Sequence, residues 1–174
     1  MNIVLIGYRG TGKSTVGRLL AEHLGRTLVS TDAEVVKRAG CSIPEIVQRH
    51  GWEYFRDLES AVCEEVAEQS DVIIDTGGGV ILRSRNVEAL KKSGRLYWLT
   101  AEVETISRRI GGDTQRPSLT GTRSFVDEIS QVLEERLPKY RAAADVTIAT
   151  EGLTPAQVAE HVLRYCHGPS VDLT

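Results

Sequence analysis

Two rhythms of apolar residues alternate along the chain. Short, nearly continuous runs occur at 2–6 (NIVLI), 27–30 (TLVS), 71–75 (DVIID), 95–100 (RLYWLT) and 145–150 (DVTIAT), and they read as strands. Between them apolar positions recur every three to four residues. That spacing predicts helices over 14–25, 52–69, 83–94, 101–110, 127–144 and 154–166. Two capping boxes, TDAE (31–34) and SIPE (42–45), should each open a helix, with Thr31 and Ser42 as the caps. A third start is written as Thr154-Pro155-Ala156-Gln157, and Gly94 and Pro138 should close and bend their helices. Strands that are apolar on both faces and alternate with helices predict an α/β fold: a five-stranded parallel sheet with helices on both faces.

The segment 111–123, GGDTQRPSLTGTR, has no period and is polar and glycine-rich, so it reads as a loop. No linker or repeat divides the chain, and 174 residues suit one domain spanning 1–174. A net charge of −3 argues against a nucleic-acid partner. The start, MNIVLIGYRG, lacks the basic segment and apolar length of a signal peptide, and no run approaches a membrane span. Cys41, Cys63 and Cys166 are odd in number with no CxxC, and His23, His50, His161 and His167 have no metal-ligand spacing. These features fit a cytoplasmic protein with reduced thiols. No exposed apolar helix face demands a partner, so a monomer is expected.

The first strand runs into Gly7-Tyr8-Arg9-Gly10-Thr11-Gly12-Lys13-Ser14-Thr15, which matches G-x-x-x-x-G-K-[ST] between a strand and a helix. Glycines let the backbone wrap a phosphate, and the N–H groups from Gly10 to Thr15 can point at its oxygens. Lys13 brings a charge to the β- and γ-phosphates, and the Ser14 hydroxyl suits Mg²⁺. A guanine-reading N-K-x-D segment is missing from the sequence. A short chain with an arginine-bearing loop two-thirds along suggests a small-molecule kinase whose loop closes as a lid and excludes water.

Further elements narrow the reading. Asp32 follows the second strand, Phe55-Arg56-Asp57-Leu58-Glu59 lies in the long helix, and Gly77-Gly78-Gly79 follows the third strand. Arg116-Pro117 sits in the lid segment, and Glu135-Arg136-Leu137-Pro138-Lys139-Tyr140 in the helix after it. In this order and spacing the set resembles the shikimate kinases, over nearly the whole chain. The resemblance implies a P-loop kinase fold with a substrate region at 32–60 and a lid at 111–123. It implies ATP-dependent phosphorylation of the 3-hydroxyl of shikimate, a step toward aromatic amino acids.

By the same resemblance Arg56 and Arg136 clamp the substrate carboxylate and Glu59 orients Arg56. Gly77, Gly78 and Gly79 lie against the ring and give it N–H groups, a side chain at Gly78 or Gly79 taking the acceptor's place. Asp32 orients the 3-hydroxyl, with a role as proton acceptor left open. Lys13, Asp32 and Arg116 form the catalytic set, and Arg116 reaches the moving phosphoryl. Arg109 and Pro155 sandwich the adenine, with Arg108 an alternative, while Ile43 and Phe55 are apolar contacts or plain core. Two positions depart from the family. Where D-x-D is usual, this chain reads Ser30-Thr31-Asp32, so Asp75 at the end of the third strand is the candidate to join Ser14 at Mg²⁺. Ser118 follows Arg116-Pro117 where leucine is frequent. The rival readings are a gluconate-type or other small-molecule P-loop kinase, and a nucleotide-binding module without turnover.

Overall fold

The computed structural model describes residues 1–111 and 125–166. Five parallel strands form one sheet: β1 (Asn2–Ile6), β2 (Leu28–Ser30), β3 (Ile73–Asp75), β4 (Gly94–Thr100) and β5 (Val146–Ala149), in the order β2-β3-β1-β4-β5. The helices are α1 (Lys13–Leu24), α2 (Thr31–Ala39), α3 (Ile43–Ala67), α4 (Ser84–Ser93), α5 (Val103–Ile110), α6 (Phe125–Ala143) and α7 (Pro155–Cys166). Among the described residues no helix is long and apolar enough to cross a membrane.

The period-two rule of a strand explains the layers. Ile3 and Leu5 of β1 point to one face, where α1 and α7 supply Val16, Leu20, Val158 and Val162. Val4 and Ile6 point to the other, where α2, α3, α4 and α6 supply Val35, Val62, Leu90 and Tyr140. β4 splits the same way, with Tyr97 and Leu99 on the first face and Leu96 and Trp98 on the second. Both faces are covered, so the strands read as continuous apolar runs.

Local chemistry sets the helix ends. Ser42 and Glu45 form the reciprocal cap expected of SIPE, and Thr154 and Gln157 exchange the same pair of bonds at α7. TDAE behaves otherwise. Ser30 is the cap of α2, its hydroxyl accepting from the Ala33 N–H, and Thr31 is the first helical residue. Thr31 is thereby freed for another task described below. Gly51 is left-handed (φ 84°) and interrupts α3, so a fresh helical stretch begins at Trp52, where the periodicity places it. Gly94 ends α4 in an extended conformation and is already the first residue of β4, rather than a left-handed cap. Pro138 lies inside α6, which continues to Ala143.

The strand order puts β1 at the point where the chain, having built one side of the sheet, turns to the other. In such sheets the crevice at the carboxyl ends of the strands, beside that switch, is where ligands bind. The loops after β1, β2 and β3 all open there.

Candidate active site

The loop after β1 wraps as its glycines require. Gly7, Gly10 and Gly12 have φ of 144°, 79° and 94°, values that L side chains rarely adopt. Lys13 turns back over this loop, its Nζ donating to the carbonyls of Gly7 (2.8 Å) and Tyr8 (3.0 Å). Thr11 Oγ also donates to Tyr8 O, so it braces the loop. A cavity of about 290 Å³ opens over it, lined by Arg9, Lys13, Ser14, Ser30, Asp32 and Asp75 among others. Thr15 lies on its wall and is exposed. Arg109 Nη1 donates to Gly10 O at 3.1 Å, which places it beside the loop from α5. Glu151 ties the turn before α7 to α5: it accepts from Thr105 Oγ and from Glu102 N–H, and these bonds hold its carboxyl below the usual range. Pro155, four residues on, is the exposed first residue of α7.

Ser14 and Asp75 meet in this cavity. The Ser14 hydroxyl donates to Asp75 Oδ2 at 2.5 Å, and Asp75 is 7% exposed. Ser30 is the register partner of Asp75 across β2 and β3, so the two occupy neighbouring strand ends. A hydroxyl and a carboxylate at the mouth of a phosphate-binding loop are hard oxygen donors, which fit a small divalent cation that keeps waters and takes its other ligands from phosphate. Among the described residues no cluster of three or more His, Cys, Asp and Glu could hold a metal by itself.

A second cavity, of about 450 Å³, is lined by Arg56, Arg136, Trp52, Arg83, Lys139 and neighbours. Arg56 and Arg136, 80 positions apart in sequence, therefore face one space. Arg56 is 8% exposed and its charge is held on three sides. Glu59 Oε2 accepts from its Nη1 at 2.7 Å, and the guanidinium lies over the rings of Phe55 (5.0 Å) and Trp52 (5.5 Å). Glu59, one helical turn beyond Arg56, is almost fully buried, and its Oε1 has no hydrogen-bond partner among the described residues. Ile43 and Phe55 pack into the main core, so the aromatic wall of the cavity is Trp52 instead.

The triple-glycine loop runs between Asp32, which lines the first cavity, and Arg56, which lines the second. None of its three glycines has a positive φ, so backbone conformation does not demand them. Space does, and mainly for the protein's own side chains. A Cβ on Gly77 would sit 2.6 Å from Asp32 Oδ1 and 2.9 Å from Glu59 Oε1, and one on Gly79 would collide with the Arg56 guanidinium. Only Gly78 would meet nothing nearer than 3.4 Å, the backbone N of Arg9. A side chain at Gly79 would displace Arg56 before anything bound in the crevice. The amides differ too. Gly77 N–H is taken by Thr31 Oγ (3.0 Å), and Tyr140 OH donates to Gly78 O at 2.5 Å. Burial pushes the Tyr140 phenol well above its ordinary value, the opposing pull of Arg136 being smaller, so it stays a donor. Tyr140 also stacks on Trp98 (5.5 Å, 10°), and Asn86 holds Val80 O just past the loop.

Sequence reasoning named Asp32, Arg56, Glu59, Asp75, the glycines and Arg136, and the fold brings them to one crevice. It missed Thr31, Trp52 and the job of Tyr140. Trp52 and Tyr140 could have been found by helical spacing, since each lies four positions from an arginine of the cavity. Thr31 was hidden because TDAE satisfies a capping pattern. Arg116, Pro117 and Ser118 lie outside the described residues, as does the lid segment beyond Gly111.

The family model described as shikimate kinase matches residues 9–167. The chain is 42% identical to a shikimate kinase of Dehalococcoides mccartyi, over 92% of this chain and 90% of that one. It is 41% identical to a shikimate kinase of Persephonella marina, over 93% of this chain and 96% of that one. Among solved structures it superposes on the shikimate kinase of Acinetobacter baumannii in complex with shikimate, with TM-score 0.92 and 34% identity, covering 98% of this chain and 94% of that one. A gluconokinase from Sinorhizobium meliloti has TM-score 0.56 at 17% identity over 93% of this chain and 89% of that one, a likeness of fold alone.

Proposed function

The chain belongs to the shikimate kinase family, and from that premise we propose that it moves the γ-phosphoryl group of ATP to the 3-hydroxyl of shikimate. The observation that carries the reading is the arginine cavity. Two nearly buried guanidiniums, Arg56 and Arg136, face one space beside the triple-glycine loop, next to a phosphate-binding loop. A fixed guanidinium fork suits a carboxylate, and a small ring acid would present its carboxylate there and its hydroxyls toward Asp32.

The roles follow from position. Arg56, held by Glu59, and Arg136 take the carboxylate. Gly78 and Gly79 offer N–H groups to the ring, Gly77 N–H being spent on Thr31. Asp32 orients the 3-hydroxyl and takes its proton as the oxygen attacks. Lys13 leaves the loop carbonyls for the β- and γ-phosphates, and the amides from Gly10 to Thr15 hold the rest of the chain of phosphates. Arg109 and Pro155 flank the adenine, and Arg116 completes the charge around the phosphoryl. The γ-phosphorus–oxygen bond to ADP breaks with its electron pair on ADP as the bond to the hydroxyl oxygen forms. Catalysis here is placement and charge stabilisation more than base strength. Mg²⁺ fits Ser14 and Asp75, and when bound it would neutralise charge on the β- and γ-phosphates. The product would feed aromatic amino-acid synthesis in the cytoplasm, from a monomeric enzyme.

The test is ADP release from ATP with Mg²⁺, with shikimate, quinate or gluconate as acceptor. Release with shikimate well above the others is expected. Gluconate-driven release, or tight ATP binding with no acceptor-dependent release, would overturn the assignment.

A further inference from the structure

Arg9 stands at the second variable position of the phosphate loop, and no role above includes it. Its side chain lines the same cavity as Lys13, Ser14, Asp32 and Asp75. Its guanidinium carbon lies 6.0 Å from the ring centroids of both Tyr8 and Phe125, rings supplied by two different segments. This is the outer limit of a cation–π contact, so the rings place the charge without satisfying it. Arg9 Nε is buried and has no hydrogen-bond partner among the described residues. Asp75, the buried carboxylate of that cavity, is turned to Ser14 instead. The side chain as a whole is half-buried, so this one buried donor is the group that an arriving anion would satisfy.

The backbone says which anion. Arg9 N lies 3.4 Å from where a Cβ on Gly78 would stand, with Gly7 O and Tyr8 Cα close behind. Arg9 therefore sits on the seam between the phosphate loop and the triple-glycine loop. Lys13 covers the inner side of the phosphate loop, against Gly7 O and Tyr8 O. On the reaction proposed above, a phosphoryl group would cross this seam from the phosphate-loop side to the acceptor side.

Resting on the acceptor assignment above, we propose that Arg9 contacts the phosphoryl group as it is transferred and then holds the 3-phosphate of the product. As the bond to ADP breaks and the bond to the ring oxygen forms, the phosphoryl oxygens move toward the acceptor side. Arg9 is placed to follow them there. It thus separates phosphorylated from unphosphorylated acceptor, which the carboxylate clamp does not do.

The experiment measures dissociation constants for ADP, shikimate and shikimate 3-phosphate, with steady-state kinetics, for the wild type, Arg9→Met and Arg9→Lys. Met keeps contact with the rings and removes the charge. Arg9→Met should weaken shikimate 3-phosphate by about tenfold or more and lower kcat by a similar factor. Shikimate and ADP should stay within about threefold, and Arg9→Lys should recover part of the loss. Equal effects on shikimate and its 3-phosphate, or none on either, would overturn the inference. Loss confined to ADP would assign Arg9 to the nucleotide and overturn it as well. A wild type that turns over no shikimate would sink the acceptor reading and this inference together, which the variants alone cannot do.

Discussion

The two glycine-rich loops of the crevice use the same residue for different reasons. In the phosphate loop Gly7, Gly10 and Gly12 all carry positive φ; a Cβ on Gly7 or Gly10 would also stand 2.5 Å from Leu99 O or 2.6 Å from Ile110 Cγ2, while one on Gly12 would meet nothing within 4 Å. Glycine is needed there for what the backbone does, and at Gly12 for that alone. In the triple-glycine loop no φ is positive, yet Gly77 and Gly79 are pressed against Asp32, Glu59 and Arg56. Glycine is needed there for what the neighbours do. One loop shapes its own amides around a ligand, while the other steps aside so that charged side chains can reach one.

The sharpest way to break this contrast is Gly79→Ala. The added methyl lands on the Arg56 guanidinium, which must leave Glu59 or the cavity. Arg56 is the end of a flexible side chain and the Gly79 backbone (φ −97°) tolerates alanine, so folding should change little. The expected loss is about 100-fold in kcat/KM, mostly as a higher KM for shikimate, since a charge-assisted clamp is at stake. ADP affinity, measured calorimetrically, should hold. Equal loss of ADP binding would show that the two loops act as one piece.

Gly12→Ala probes the other loop. At φ 94° a methyl is strained although the space is free, and strain of about 1–2 kcal/mol would weaken nucleotide by about five- to thirtyfold. Shikimate affinity should stay within about twofold in the absence of nucleotide. If thermal stability falls and ADP binding does not, the loop does not keep this shape around its ligand.

How much of this was legible beforehand follows the same division. The phosphate loop could be read whole, because its motif encodes backbone shape and the flanking strand and helix are local. The sheet was legible too, since runs such as NIVLI and RLYWLT have room on neither face for polar residues. The triple-glycine loop was read only as close approach, and the side chains that approach it from the protein itself were not foreseen. Asp32, Glu59 and Arg56 reach it from α2 and α3, and a contact between elements leaves no periodic trace. The same blindness hid Thr31, whose partner Gly77 lies 46 residues away.

Tyr140→Phe tests the support of the second loop from behind. The phenol donates to Gly78 O, and burial keeps it protonated, so its loss is felt at every working pH. An unsatisfied buried carbonyl costs about 1–3 kcal/mol. Part should appear as a lower Tm and part as a KM for shikimate raised about five- to tenfold, since Gly78 is left unanchored. An unchanged KM with a lowered Tm would make Tyr140 a core residue only.

The smallest effect is expected at Gly78→Ala, and it separates two explanations that the neighbouring glycines confuse. Gly77 and Gly79 are required by protein atoms, so an effect of substituting either cannot be assigned to a ligand lying against the loop itself. At Gly78 the new methyl would stand 3.4–3.6 Å from Arg9 N, Gly7 O and Tyr8 Cα, a contact that is tight for one atom and ordinary for the others. Tm and ADP affinity should therefore hardly move. If a ring lies against this loop, the methyl intrudes on it alone, and shikimate should weaken by about threefold or more, the scale of one misplaced methyl group. Shikimate 3-phosphate should weaken in parallel, because both share the ring. No change in either would mean that the middle glycine, Gly78, faces open crevice. The demand for glycine in this loop would then come entirely from Arg56, Asp32 and Glu59.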